Sequence, residues 1–273
     1  MRDRSRATAL AVALAIVVAF PFAEGLTHRA AATQPQPAIG TLATGVRSQP
    51  LRPSSIEAIA AMVAPNTTKE RPAPAKLVHL RVGMAVKARP DAKARTVGVM
   101  PSSSKYYHVP LVAWVEEVSD NGRWGRVEIP YAWPRRTGWI LLTGLQRGST
   151  WITVEVDLSR HRIIVERRGH RAFSMRAATG AQASPTPPGH YFVTDRVPFA
   201  AGSSYGSFAF GISGIQPHLP PGWSGGNQLA IHGTNAPWTI GRSASAGCLR
   251  VSESSLHRLL PLLKLGTPIV IHP

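Results

Sequence analysis

The stretch 231-IHGTNAPWTIGRSASAGCLR-250 decides how the rest of this 273-residue chain is read, because it holds the single cysteine, Cys248, with His232 sixteen residues before it. The pair is either a nucleophile with its base or a small buried residue and an unrelated loop histidine. Thiol chemistry needs a base or cation near the sulfur and donors for a developing oxyanion, and an adjacent glycine lets substrate approach the backbone. Gly247 provides that access. If Ile231-His232 ends one strand, the loop 235–244, with its Pro237 and Gly241, can return the chain and bring Cys248 alongside His232.

A third group should orient the imidazole, yet from Arg196 to Pro273 the only carboxylate is Glu253, which a helix start explains as a first-turn acid. A carboxylate-oriented triad is therefore disfavoured, and the backbone turn at Gly233 is the local candidate to accept the imidazole N–H. The same scarcity of acids argues against a metal. His218, His232 and Cys248 could contribute to a zinc site, but no paired-ligand spacing occurs. No cofactor and no metal are expected.

Outward from this stretch, composition narrows the class. Lys+Arg 31 against Asp+Glu 14 gives a formal charge of +17, which implies an anionic partner. The basic residues are scattered and carry no nucleic-acid motif, so an acidic polymer or envelope surface is favoured over nucleic acid. At the N-terminus, Arg2, Arg4 and Arg6 precede an uncharged apolar run from Ala7 to Ala23 and then Ala30-Ala31-Ala32. This reads as an export signal over 1–32, either cleaved or kept as a membrane anchor. In an exported chain a single cysteine cannot form an internal disulfide, and it stands out as a free thiol.

Residues 33–76, rich in Pro, Ala, Thr and Ser, read as a linker with a short helix at 54–63. Short β-branched and aromatic runs over 77–147 predict a small all-β unit whose Trp114, Trp124 and Trp139 are expected to fill its core. That unit resembles a bacterial SH3-like domain in pattern and length. Residues 151–273 begin with WITVEVDLSRHRIIVERRG, two alternating strands about a turn, and continue as further strands. SESSLHRLLPLLKLG is the one helical segment, with Ser252 as N-cap and Leu256, Leu259, Leu260 and Leu263 on one face, shortened by Pro261. The fold class expected is thus mostly β, with one short helix near the C-terminus.

Ile231-His232-Gly233-Thr234, Ser245-Ala246-Gly247-Cys248-Leu249-Arg250 and Gly266-Thr267-Pro268, together with Thr186-Pro187-Pro188-Gly189-His190-Tyr191 upstream, resemble the catalytic region of the L,D-transpeptidases, also called YkuD domains. The resemblance covers Trp151 to Pro273 and implies a β-rich catalytic domain that acts on peptidoglycan stem peptides. It implies Cys248 as nucleophile, His232 as base, Gly233 as the carbonyl that orients it, Arg250 as a site-supporting or carboxylate-facing residue, and Ser245 and Gly247 as support. It further implies an oxyanion hole from the N–H groups around Gly247 and Cys248, 3→3 cross-linking through a thioester, and inhibition by carbapenems. Ala246 departs from the pattern, because the family often has histidine there. Hydrolysis of the thioester by water and a non-catalytic wall-binding role are the competing functions. An NlpC/P60-type endopeptidase is disfavoured because its cysteine precedes its histidine. His190 and His218 are expected in Pro/Gly-rich loops bordering the cleft, and Tyr205 and Trp223 as packed aromatics or a lid.

Overall fold

The computed structural model describes residues 72–273. The export signal over 1–32, the linker up to residue 71 and the helix expected at 54–63 lie outside the described residues. Among the described residues no helix is long and apolar enough to cross a membrane.

The N-terminal part contributes β1 (Ala75–His79), β2 (Met84–Lys87), β3 (Thr96–Met100), β4 (Val112–Val115), β5 (Glu117–Val118), β6 (Trp124–Glu128), β7 (Thr137–Leu141) and β8 (Gln146–Thr150). They form a five-stranded sheet of order β3-β2-β7-β6-β5 and a three-stranded sheet of order β4-β1-β8. Val78, Leu80, Val86, Met100, Leu111, Val127 and Ile140 close between them. Of the three tryptophans expected to fill this core, only Trp124 is buried. Trp114 and Trp139 are half-buried. Trp114 lies where the unit meets the rest of the chain, stacked on His190 at 5.6 Å.

The remainder contributes β9 (Ile152–Asp157), β10 (Arg162–Arg167), β11 (His170–Arg176), β12 (Thr179–Gly180), β13 (Gly189–Pro198), β14 (Phe208–Ile215), β15 (Gln228–His232), β16 (Ser243–Ser245), β17 (Leu249–Arg250), β18 (Pro268–His272) and one helix, α1 (Glu253–Leu259). Eight of these strands form a sheet of order β11-β10-β9-β18-β13-β14-β15-β17. Alternation builds it: Ile152, Val154 and Val156 of β9 face Ile163 and Val165 of β10 in one core, while the residues between them face outward. Each such aliphatic side chain contributes about 1.5–3 kcal/mol on burial. Because successive strand residues face opposite sides, Tyr191 of β13 enters this core while Phe192 enters the N-terminal one. One strand thus ties the two cores together.

Helix α1 starts where Ser252 Oγ accepts the Ser255 N–H at 3.2 Å and stops two residues before Pro261, whose ring cannot continue it. Leu256, Leu259 and Leu263 are fully buried, whereas Leu260 is only half-buried and sits at the margin of the apolar face. The helix lies directly after β17 and so follows the cysteine loop by a few residues. His190, expected in a loop at the cleft, is instead on β13, facing Trp114 and Glu116 away from it.

Candidate active site

Cys248 and His232 reach one site because β15 and β17 run parallel in register, with Ile231 opposite Leu249 and His232 opposite Arg250. The chain between them folds through a short 3₁₀ turn at Pro237–Thr239 and a two-stranded ladder of β12 with β16. Cys248 therefore stands at the entry to β17, beside the exit of β15.

Around the thiol the chain holds a strained conformation. Gly247 has φ +112°, and a Cβ there would lie 2.2 Å from Gln216 Nε2, so no other residue fits without displacing it. The Gly247 carbonyl accepts from Thr186 Oγ1 at 2.7 Å, and that same hydroxyl accepts from Gly180 N–H. Ser245 is buried. Its Oγ donates to the Cys248 carbonyl at 2.6 Å and accepts the Gly247 N–H at 3.1 Å. The Gly247 N–H, expected to share in an oxyanion hole, is thereby engaged. The Cys248 N–H makes no hydrogen bond among the described residues.

His232 is 4% exposed, and its Nδ1 lies 2.6 Å from the Gly233 carbonyl oxygen. A carbonyl can only accept, so Nδ1 carries the proton and Nε2 presents the lone pair. Burial pushes the imidazole down to about 4, with Arg250 adding to the fall and backbone hydrogen bonds to Gly233 and Tyr205 opposing it. Burial also pushes the Cys248 thiol up, against the backbone of Ala230 and Arg250, which favour the thiolate. Both shifts keep the proton on sulfur. The resting pair is a neutral thiol and a neutral imidazole, and the thiol donates to the Gln228 carbonyl at 3.9 Å rather than to His232.

A cleft of about 70 Å³ opens over the thiol, lined among others by Cys248, His232, Arg250, Ala246, Tyr205 and Trp223. Tyr205 packs on the imidazole with ring centres 4.8 Å apart, which both dries the ring and fixes its plane. Trp223 is 42% exposed at the rim. Of the loop residues singled out from sequence, His218 is exposed and outside this lining. Arg250 lines the cleft with no carboxylate in salt-bridge range among the described residues, leaving its guanidinium for an anionic group. No cluster of three or more His, Cys, Asp or Glu suited to a metal occurs among the described residues.

Glu253 does more than cap a helix dipole. Its Oε1 accepts the Ser207 N–H at 3.1 Å and its Oε2 accepts the Ser207 hydroxyl at 2.6 Å. The carboxylate also fills the space above two glycine backbones, since a Cβ on Gly206 or Gly233 would lie 2.1 or 2.2 Å from Oε1. It thus clamps the segment carrying Tyr205 against the residue that orients His232. Gln228 and Gln216 also line the cleft; the fold brings them to the thiol, and no local sequence pattern encodes it.

Residues 152–271 match the family model of the L,D-transpeptidase catalytic domain, YkuD. The YkuD protein of Bacillus licheniformis, whose name assigns it provisionally to the L,D-transpeptidases, is 24% identical over 135 residues, which are 49% of this chain and 74% of that protein. Among solved structures, Bd1075 of Bdellovibrio bacteriovorus is 25% identical over 45% of this chain and 48% of its own, with a TM-score of 0.35. An L,D-transpeptidase from Mycobacterium smegmatis is 15% identical over 59% of this chain and 89% of its own, with a TM-score of 0.38. The chain spans about half the length of the Bdellovibrio protein.

Proposed function

We propose that the chain is an exported peptidoglycan L,D-transpeptidase in which Cys248 is the nucleophile and His232 the general base. The observation that carries this reading is the pairing of His232 with Cys248 in one cleft, the imidazole turned by the Gly233 carbonyl so that Nε2 is the basic nitrogen. The match of residues 152–271 to the L,D-transpeptidase catalytic domain supports it.

In this mechanism the stem peptide places the bond before its terminal D-Ala over Cys248, with its carboxylate toward Arg250. The thiol turns from the Gln228 carbonyl to Nε2, gives up its proton as sulfur attacks, and the tetrahedral oxyanion takes the Cys248 N–H. Longer contacts in the unliganded state are usual for such pairs. The imidazolium protonates the departing D-Ala amine, leaving a thioester. An amine on a neighbouring stem then attacks the thioester carbonyl and the thiol is regenerated, giving a 3→3 cross-link. The +17 charge favours an anionic wall or envelope polymer as the working surface. The N-terminal β unit, in the SH3-like reading, serves as a wall-binding or substrate-positioning module. Carbapenems, which acylate thiols of this kind, are the expected inhibitors.

The test is mass spectrometry of a purified disaccharide tetrapeptide after incubation with the protein. Cross-linked dimers that have lost one D-Ala support the proposal. Tripeptide alone would mean that water is the acceptor, and unchanged tetrapeptide would mean that the protein binds the wall without processing it.

A further inference from the structure

Beside the catalytic cleft lies a second cavity of about 180 Å³, which shares Tyr205, Gly226 and Gln228 with it. At about 30 Å³ per water, it holds a side chain the size of lysine. Its floor follows from strand register. Across β13, β14 and β15, Asp195 stands opposite Gly211 and Gly211 opposite Ala230; one step along, Val197 stands opposite Ala209 and Ala209 opposite His232. Directly paired residues face the same side of a sheet. Ala209, Gly211 and Ala230 thus make a floor of small residues, in rows that run on to Asp195 at one end and His232 at the other, both outside the lining.

The walls are aromatic: Phe199 and Tyr205 from one side, and Tyr106 and Tyr107 from the N-terminal unit on the other. The loop bearing them is held in place, since Tyr106 Oη donates to Asn227 Oδ1 at 2.9 Å. No Lys, Arg or His lines the cavity, although the chain carries a formal +17. Lys105 Nζ lies 5.1 Å from the centre of the Tyr106 ring but outside the lining, and the charge beneath the floor is negative. Asp195 is 0% exposed, and its Oδ2 accepts from Gln228 Nε2 at 2.8 Å and from Thr194 Oγ1 at 2.7 Å. Its Oδ1 has no hydrogen-bond partner. The carboxylate is close enough to Tyr107 to help raise that phenol, after burial. Aromatic faces and a buried carboxylate both favour a cation.

We infer that this second cavity receives the primary ammonium of the acyl acceptor, with Tyr106 and Tyr107 of the N-terminal unit supplying half of its aromatic wall. The inference rests on the transpeptidase reading and deepens it by dividing the site. Arg250, in the first cleft, faces the anionic end of the donor, and the aromatic cavity gathers the cationic acceptor. The ammonium passes one proton to Nε2 of His232, and the amine attacks the thioester carbonyl. The N–C bond forms as the C–S bond breaks, the second proton goes to the departing sulfur, and the imidazolium returns its proton to water.

The test separates the half-reactions in the full-length protein. The donor is a tetrapeptide whose side-chain amine is acetylated. The acceptor is a tripeptide with a free side-chain amine and no D-Ala to lose. Tyr107, 49% exposed, tolerates replacement. Tyr107→Leu is expected to raise the half-saturating acceptor concentration about tenfold, equivalent to about 1.4 kcal/mol, with the loss confined to cross-linking and absent from D-Ala release. Tyr107→Phe, which keeps the ring, is expected to restore the wild-type acceptor dependence. An acceptor dependence unchanged in Tyr107→Leu, with D-Ala still released, overturns the cavity assignment alone. Failure of the wild type to release D-Ala overturns the transpeptidase reading and this assignment with it.

Discussion

His232 Nδ1 lies 2.6 Å from the carbonyl oxygen of Gly233, the next residue in the chain. The imidazole is therefore oriented by its own backbone, with no carboxylate hydrogen-bonded to it among the described residues. This arrangement fixes the tautomer while leaving the ring neutral, and it makes the pH behaviour of the site depend on burial.

Because burial holds the imidazole at about 4, acylation should keep its rate well below the usual histidine range and fall only as pH approaches 4. A pH profile of carbapenem acylation, limited to pH values where the fold persists, checks this. The stability sign follows from the same shift. The unfolded imidazole, near 6.5, takes a proton before the folded one does, so this group's contribution is complete above about 6.5 and lost as pH falls toward 4, by roughly 3 kcal/mol. His232→Ala should flatten that part of the stability curve and lower turnover on the order of 10²-fold or more.

Gly247→Ala should abolish acylation while leaving most of the fold intact. The new methyl would meet Gln216 Nε2 at 2.2 Å in a backbone conformation of φ +112°, and relief requires moving the residue before Cys248. Displacements near 1 Å at such a site cost on the order of 10²-fold. Stopped-flow acylation together with circular dichroism distinguishes a misplaced thiol from an unfolded chain.

Glu253→Ala should lower both the melting temperature and turnover, because it frees Ser207 and opens the space over Gly206 and Gly233. Losing hydrogen bonds to a carboxylate costs about 1.5–3 kcal/mol each at most. Glu253→Gln, which keeps one acceptor, should lose less in both measurements. Equal activity in Glu253→Ala and the wild type would mean that the clamp is dispensable.

A buried acid, Glu128, acts with the pH sign opposite to that of His232. Burial pushes Glu128 up to about 8, with Glu116 adding to the rise and Ser213 and Arg135 opposing it. The folded state holds this proton longer than the unfolded state does, so the stabilisation is complete below about 4.5 and lost as pH rises through 8. Glu128→Gln should therefore melt higher than the wild type at pH 9, with the difference shrinking toward pH 5. Ser213 Oγ, which donates to Glu128 Oε2 at 2.6 Å and accepts the Phe192 N–H, should remain satisfied by the amide.

Legibility from sequence followed the range of the interactions concerned. The alternation of Ile152, Val154 and Val156 and the Ser252 cap are local patterns, and both appear where the chain predicts them. Strand β8, QRGST, did not stand out because it is polar and pairs only with β1. Trp114 packs against the N-terminal core from its margin, whereas its other partner, His190, lies far along the chain and no periodicity links them. In the site, the spacing of His232, Gly247 and Cys248 marked the candidate chemistry. The Asp195–Gly211–Ala230 row and the reach of Glu253 to Ser207 exist only once strands are in register.

The most direct test of Cys248 as the acylated nucleophile is the intact mass of the wild type and of Cys248→Ala after exposure to a carbapenem, followed by peptide mapping. The account predicts one adduct on the wild type, mapped to the peptide containing Cys248, and none on the variant. An equal adduct on Cys248→Ala, or a wild type that remains unmodified, would contradict it.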